Sequence, residues 1–362
     1  MRRRLLPLSV MLLASFSSAP VLADEKCANP SSALGVSRIV EIDPTSGPLF
    51  GAFTKYEKEP RFLGPKEVVL TFDDGPLPKF TKPILAALDR FCTKATFFSV
   101  GRMAQAYPDM VKEVMGRGHT MGTHTWSHPM NMPRLPLPQA IDQIERGFAA
   151  VALAAGQPIA PFFRFPGLSD SGPMLQHMQE RGIASFTVDV VSNDSYIASP
   201  QRLVERTIDQ IERRNGGIVL FHDIKSSTAR ALPTILSELK KRGYKIVHLT
   251  SKKPFEPLPE LTAELSKGKT TASNERRLVP FYEAIAPVVP GGDAAPAVTS
   301  VSAGARERTK TGGTHATADD PVTPVEPIVE APAVAADKKK ASSRHRPEYD
   351  PHSLTDAIGG RW

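Results

Sequence analysis

Two adjacent carboxylates, Asp73 and Asp74, stand in VVLTFDDGP at the point where an apolar run stops. Neighbouring acids repel, so each needs its own reason to stay charged. Further along, GTHTWSHP sets His124 and His128 four residues apart, FFRFPG places Arg164 behind two Phe, and IVLFHD ends a β-branched run in His222. The i, i+4 spacing predicts that both imidazoles share one face of a helical turn. Two His and one carboxylate form the donor set of an open zinc site, in which a fourth position is left for water. A cation there lowers the pKa of that water from 15.7 toward about 7. One Asp could then be a ligand and the other a base. Arg164 would supply a counter-charge to the free Asp, and a His at a strand end can serve as a general acid. Taken singly, each signal has an ordinary reading: polar loop histidines, a surface Arg, a structural His. Their combination in one alternating chain is what points to hydrolytic chemistry.

The elements that must position these groups alternate. Short β-branched and aromatic runs predict strands over 68–72, 95–100, 162–164, 184–191, 217–221 and 244–249. Helices are predicted over 83–90 behind a Thr81 cap, over 107–117, through the stripe Ile141, Ile144, Phe148 and Val151, over 200–213 behind Ser199, and over 228–242. Strand–helix alternation means parallel strands with helical crossovers. The pattern leaves an open doubly wound sheet and a closed barrel equally available. In both, ligands collect at the carboxyl ends of the strands, where Asp73 and Asp74 fall.

The flanks differ in kind. Residues 1–23 read as a secretory signal: Arg2, Arg3 and Arg4, an apolar run too short for a transmembrane span, and a small-residue site at Ala23. An N-terminal arm follows over 24–66. The catalytic domain is expected over 67–252, and 253–362 is expected to be a Pro/Ala-rich, largely disordered tail after a short helix at 261–267. The net charge of +7 is mild for 362 residues, and no aromatic-interleaved basic stripe suggests nucleic acid. The tail's lysines could associate with an anionic envelope polymer. Cys27 and Cys92, the only cysteines, could form one disulfide in an oxidising compartment.

TFDDGP, HTWSH, RFPG and LFH, in this order, resemble the polysaccharide deacetylases of carbohydrate esterase family 4, the NodB homology domain. The resemblance covers about half the chain. It implies a distorted (β/α) barrel holding Zn2+, or another divalent metal such as Co2+; the signal predicts a periplasmic or secreted location, and a monomer is expected. The resemblance implies metal-dependent removal of N-acetyl groups from N-acetylglucosamine glycans such as chitooligosaccharides or peptidoglycan. By position, Asp73 is then the base, Asp74, His124 and His128 the metal ligands, Arg164 the group that orients Asp73, and His222 the acid. The backbone N–H of Gly167 would help hold the oxyanion, and Leu220 would line the acetyl pocket.

The family's fourth motif, D-x-x-D-W, is altered here to Val191-Ser192-Asn193-Asp194-Ser195. Val191 replaces the Asp expected to orient the acid, and Ser195 replaces the Trp that walls the pocket. Asp189, on the same side of a strand two residues earlier, is expected to take over part of that support. Two other readings follow from the alteration or the family: a degenerate zinc-holding, glycan-binding protein, and an esterase removing O-acetyl groups.

Overall fold

The computed structural model describes residue 27 and residues 30–267. The expected signal and nearly all of the expected tail lie outside them. The strands are β1 (Arg38–Ile42), β2 (Leu49–Phe50), β3 (Glu67–Asp73), β4 (Thr96–Ser99), β5 (Thr120–Thr123), β6 (Phe162–Phe163), β7 (Ala184–Phe186), β8 (Val190–Val191), β9 (Gly216–His222) and β10 (Lys245–Ser251). The helices are α1 (Pro78–Arg90), α2 (Gly101–Ala106), α3 (Pro108–Gly116), α4 (Leu137–Ala155), α5 (Gly172–Arg181), α6 (Pro200–Arg214), α7 (Ser226–Lys241) and α8 (Pro259–Lys267).

Every strand pairing among the described residues is parallel. Hydrogen bonding runs β3-β4-β5-β6-β7 along one side, while β8 pairs with β9 and β9 with β3. The chain itself joins β7 to β8, so the curved sheet closes as a distorted barrel. The expected α/β architecture holds, and the closed alternative is the one adopted.

Alternation along the strands sorts side chains into two layers. Val68, Leu70 and Phe72 of β3 and Val219 and Phe221 of β9 face the helices. Val69, Ile218, Leu220, Phe98, Phe162 and Phe186 fill the barrel. The same period of two places Asp73, Arg164 and His222 on the interior side, at the carboxyl rim.

Several boundaries differ from the sequence expectation. α1 begins at Pro78, not at Pro83, because Leu77 O already accepts from the N–H groups of Phe80 and Thr81. Thr81 is not its cap; its hydroxyl accepts from Leu77 N–H at 2.8 Å. Ser199 does cap α6, accepting from Arg202 N–H. The single strand expected over 184–191 is divided. Thr187 N–H donates to Phe50 O and Val188 O accepts from Ala52 N–H, whereas Asp189 N–H donates to Ile218 O. The chain changes neighbours there, from β2 to β9.

The arm is part of the sheet: β1 pairs with β10 and β2 with β7. A disulfide joins Cys27 to Cys92, with Cα atoms 5.5 Å apart. β5 escapes a reading by propensity because it is short and contains Gly122. A Cβ there would lie 2.6 Å from Phe162 O, so the close approach of β5 to β6 requires glycine.

Candidate active site

Asp73 closes β3 and lies 2 % exposed. Its Oδ1 accepts from Arg164 at 2.7 Å. Arg164 is fully buried just past β6. It spends its other donors on Thr71 Oγ1 at 2.8 Å, Phe186 O at 3.2 Å and Thr187 O at 3.4 Å, and lies over the Phe98 ring. Those partners fix the guanidinium before it meets Asp73, so the ion pair is preorganised. Burial pushes the Asp73 carboxyl up to about 6; Arg164 and His222 oppose that push and Asp74 adds to it.

Asp74 has a left-handed backbone (φ 78°), which turns its side chain away from Asp73's partner and toward the histidines. Its Oδ1 lies 3.2 Å from His128 Nε2 and 3.6 Å from His124 Nε2. Burial works against its charge, but His128, His222 and His124 outweigh it and hold the carboxyl down at about 2. The two acids are therefore kept ionised by different neighbours.

His124 and His128 do not sit on a helical turn, which corrects the i, i+4 expectation. They lie in the loop after β5, where Thr125 and His128 both take positive φ. His124 N–H donates to Ser99 O at 2.8 Å, and His128 N–H donates to Thr125 Oγ1 at 2.9 Å. Local hydrogen bonds thus do the work that a helix was expected to do. Their ring centroids are 4.8 Å apart.

The donor chemistry of this trio fits a metal ion. His124 Nδ1 lies 2.7 Å from the carbonyl oxygen of Arg164, so Nδ1 carries the proton and Nε2 presents a lone pair toward Asp74. Burial pushes both imidazoles down to about 4, so they are neutral ligands at neutral pH. The three ligand atoms lie within 4.8 Å of one another. Two lone pairs facing an ionised carboxylate call for a cation between them.

His222 closes β9 on the other side of Asp74, with Nε2 3.9 Å from Asp74 Oδ2. Asp194 holds it twice: Oδ1 lies 2.7 Å from His222 Nδ1, and Oδ2 accepts from His222 N–H at 2.7 Å. Thr228 of α7 donates to Asp194 Oδ2 at 2.6 Å. Burial would discharge His222, but Asp194, Asp74 and Asp73 outweigh it and raise it to about 9.

That geometry corrects the expectation for Asp189. Its Oδ2 accepts from Ile218 N–H at 2.9 Å, at the start of β9, a strand's length away from His222. Asp194 occupies the supporting position, so Val191 removes no group from His222. Ser195 lies beside the same ring, with Oγ 3.4 Å from His222 Nδ1. Leu220 lines the barrel interior below the site. Gly167 sits in the short turn Pro166–Leu168 with φ 59°, and a Cβ there would press on Met130. Sequence reasoning gave no role to Thr71, Asp194 or Thr228. Thr71 was legible as the position two before Asp73 on the same face, and Asp194 as the one acid the altered motif retains.

The family model described as polysaccharide deacetylase matches residues 62–186. A peptidoglycan-N-acetylglucosamine deacetylase of Bacillus cereus is 32% identical over 187 residues, covering 50% of this chain and 85% of that one. The peptidoglycan-N-acetylmuramic acid deacetylase PdaC of Bacillus subtilis is 31% identical over 183 residues, covering 50% of this chain and 38% of its own length. The chain thus spans well under half of that relative. The solved structure of a Bdellovibrio bacteriovorus peptidoglycan deacetylase superposes with TM-score 0.55 at 31% identity, covering 62% of each chain. With most of a relative more than 30% identical aligned to it, the chain belongs to the polysaccharide deacetylase family.

Proposed function

We propose that this chain hydrolyses N-acetyl groups on N-acetylglucosamine-containing glycans of the peptidoglycan or chitooligosaccharide type, releasing acetate. One observation carries the reading. The Asp74–His124–His128 trio is flanked within 4 Å by an Asp paired to a buried Arg and by a His paired to a buried Asp. That is a ligand set with a base on one side and an acid on the other. The peptidoglycan-N-acetylglucosamine deacetylase among the relatives supports the choice of sugar, and PdaC, named for N-acetylmuramic acid, supports peptidoglycan as the polymer.

Asp74, His124 and His128 would hold a divalent cation, which we take to be Zn2+, one of several such ions that two imidazoles and a carboxylate suit. Bound there, it would supply Lewis-acid polarisation of the reacting oxygen atoms. Asp73 uses Oδ1 on Arg164, which leaves Oδ2 to take a proton from the attacking water. His222 Nε2 gives a proton to the departing nitrogen, while Asp194 fixes the ring through Nδ1. Water adds to the acetyl carbon, the carbon–nitrogen bond breaks, and acetate and a free amine leave. The Gly167 N–H would stabilise the oxyanion, with Leu220 and Ser195 against the acetyl methyl.

A periplasmic or secreted location is part of the proposal. The Cys27–Cys92 disulfide suits an oxidising compartment, and no helix among the described residues is long and apolar enough to cross a membrane. The test is acetate release from peptidoglycan and chitooligosaccharides by metal-loaded protein, with Asp73→Asn as control. Release that depends on added cation and vanishes in the variant is the expected result. Absence of release from protein that still binds the cation would favour the glycan-binding alternative.

A further inference from the structure

Behind the site lies a carboxyl that the mechanism does not use. Asp223 follows His222, is 1 % exposed and makes no ion pair among the described residues. Its Oδ2 accepts from the Thr81 hydroxyl at 2.7 Å, and its own N–H donates to Asp73 O at 3.3 Å. The carboxyl group lies directly on Gly75. A Cβ at position 75 would overlap both carboxylate oxygens and Cγ of Asp223. Gly75 lacks the left-handed backbone that would itself demand glycine. Glycine is needed there for space, and Asp223 is what occupies the space. From the opposite side, Gly75 O accepts from Val100 N–H at 3.1 Å and from Ser99 Oγ at 2.8 Å. The turn carrying Asp73 and Asp74 is therefore clamped between the ends of β4 and β9, with Asp223 as the β9 jaw.

We propose that Asp223 is a positioning residue. It fixes the Asp73–Asp74–Gly75 turn by packing on Gly75 and by tying it through Thr81 to the first turn of α1, where Thr81 Oγ1 accepts from Leu77 N–H. The consequence for catalysis rests on the proposed deacetylase reading; the steric coupling of positions 75 and 223 does not. Burial pushes this carboxyl up to about 7; the nearby Asp74 charge adds to the push, and the Thr81 hydroxyl and backbone N–H groups oppose it. Asn has the same shape and an oxygen that can accept from Thr81.

The test is a cycle of wild type, Gly75→Ala, Asp223→Ala and the double variant, with Asp223→Asn added, read by melting temperature and by zinc affinity from chelator competition. In the background of native Asp223, Gly75→Ala is expected to lower zinc affinity by tenfold or more. With Asp223→Ala present, the added Gly75→Ala change is expected to cost less than threefold. Asp223→Ala alone is expected to weaken zinc several-fold and to lower kcat with little change in KM, and Asp223→Asn to restore most of both. Should Gly75→Ala not fold alone, recovery of a folded protein in the double variant supports the coupling just as well. Equal penalties for Gly75→Ala with and without the Asp223 carboxyl would overturn the proposal. So would an Asp223→Ala protein that melts lower but keeps wild-type zinc affinity and kcat. Wild-type protein that binds no zinc would sink the deacetylase reading, while the melting temperatures would still decide the steric coupling.

Discussion

Among the described residues the barrel carries two pairs of shielded histidines, one at each end, with His128 half-buried and the other three buried, and only one pair forms a ligand set. At the carboxyl rim, His124 and His128 face Asp74. At the opposite end, His119 precedes β5 and His248 lies on β10. His119 Nδ1 accepts from Ala95 N–H at 3.2 Å, and His248 Nε2 meets Thr120 Oγ1 at 2.9 Å. Burial pushes all four imidazoles well below their ordinary range, to about 4 at the rim and to about 3 and 4 below. Desolvation alone therefore does not mark a metal site. The difference lies in the company. The lower pair has Lys94 nearby, and Arg117 also acts on His119. The rim pair has an ionised carboxylate, and the tautomer of His124 is set by the Arg164 carbonyl.

The largest expected effect separates the two ends directly. Asp74→Asn or His124→Gln should weaken zinc by more than the roughly 10–100-fold typical of outer partners of metal ligands. His119→Gln and His248→Gln should leave zinc affinity unchanged. Isothermal titration of the purified variants checks this.

Asp73→Asn should keep zinc yet lower kcat by about 10²–10⁴, the range for a lost general base. Because Arg164 would then be a buried, poorly compensated cation, the variant should also lose up to about 3–5 kcal/mol of stability. Chemical denaturation alongside steady-state kinetics reads both.

The pH profile tests the assignment of base and acid. Asp73 must be ionised and His222 protonated, so kcat/KM should rise through about 6 and fall through about 9. Positive charge loaded at Asp74 lowers both limits. Asp194→Asn removes the negative charge that most strongly raises His222, so the alkaline limb should move to lower pH while the acid limb stays. An alkaline limb that does not move would remove Asp194 from the role assigned to it.

The smallest effect belongs to the lower pair. His248→Leu removes one of two partners of the Thr120 hydroxyl, which still donates to Leu249 O, and should cost about 0.5–1.5 kcal/mol of stability, with no change in kcat.

Much of this site was legible in the sequence because the groups fall at strand ends, where a period of two fixes which side chains point inward. Asp73, Arg164 and His222 were found at the ends of apolar runs and took their roles from the family motifs, as did Asp74, His124 and His128. What was not legible depended on contacts across the chain. The rim histidines are placed by a loop with two positive-φ residues, which spacing alone reads as a helix. Asp194 reaches His222 because the chain switches from β2 to β9 between β7 and β8, a hand-over that no local pattern announces. Hence the expectation settled on Asp189, whose carboxylate is spent on Ile218 N–H. β1 and β2 were hidden for the same reason: they are short, and their partners β10 and β7 lie far along the chain.

The most direct test of the central claim is the zinc stoichiometry of the purified protein after chelation and reloading, with acetate release followed in the same samples. One equivalent of zinc is expected in wild type and in His119→Gln, none in Asp74→Asn, and release should return in step with the bound metal. One equivalent retained by Asp74→Asn, or acetate release undiminished in metal-free protein, would contradict the account.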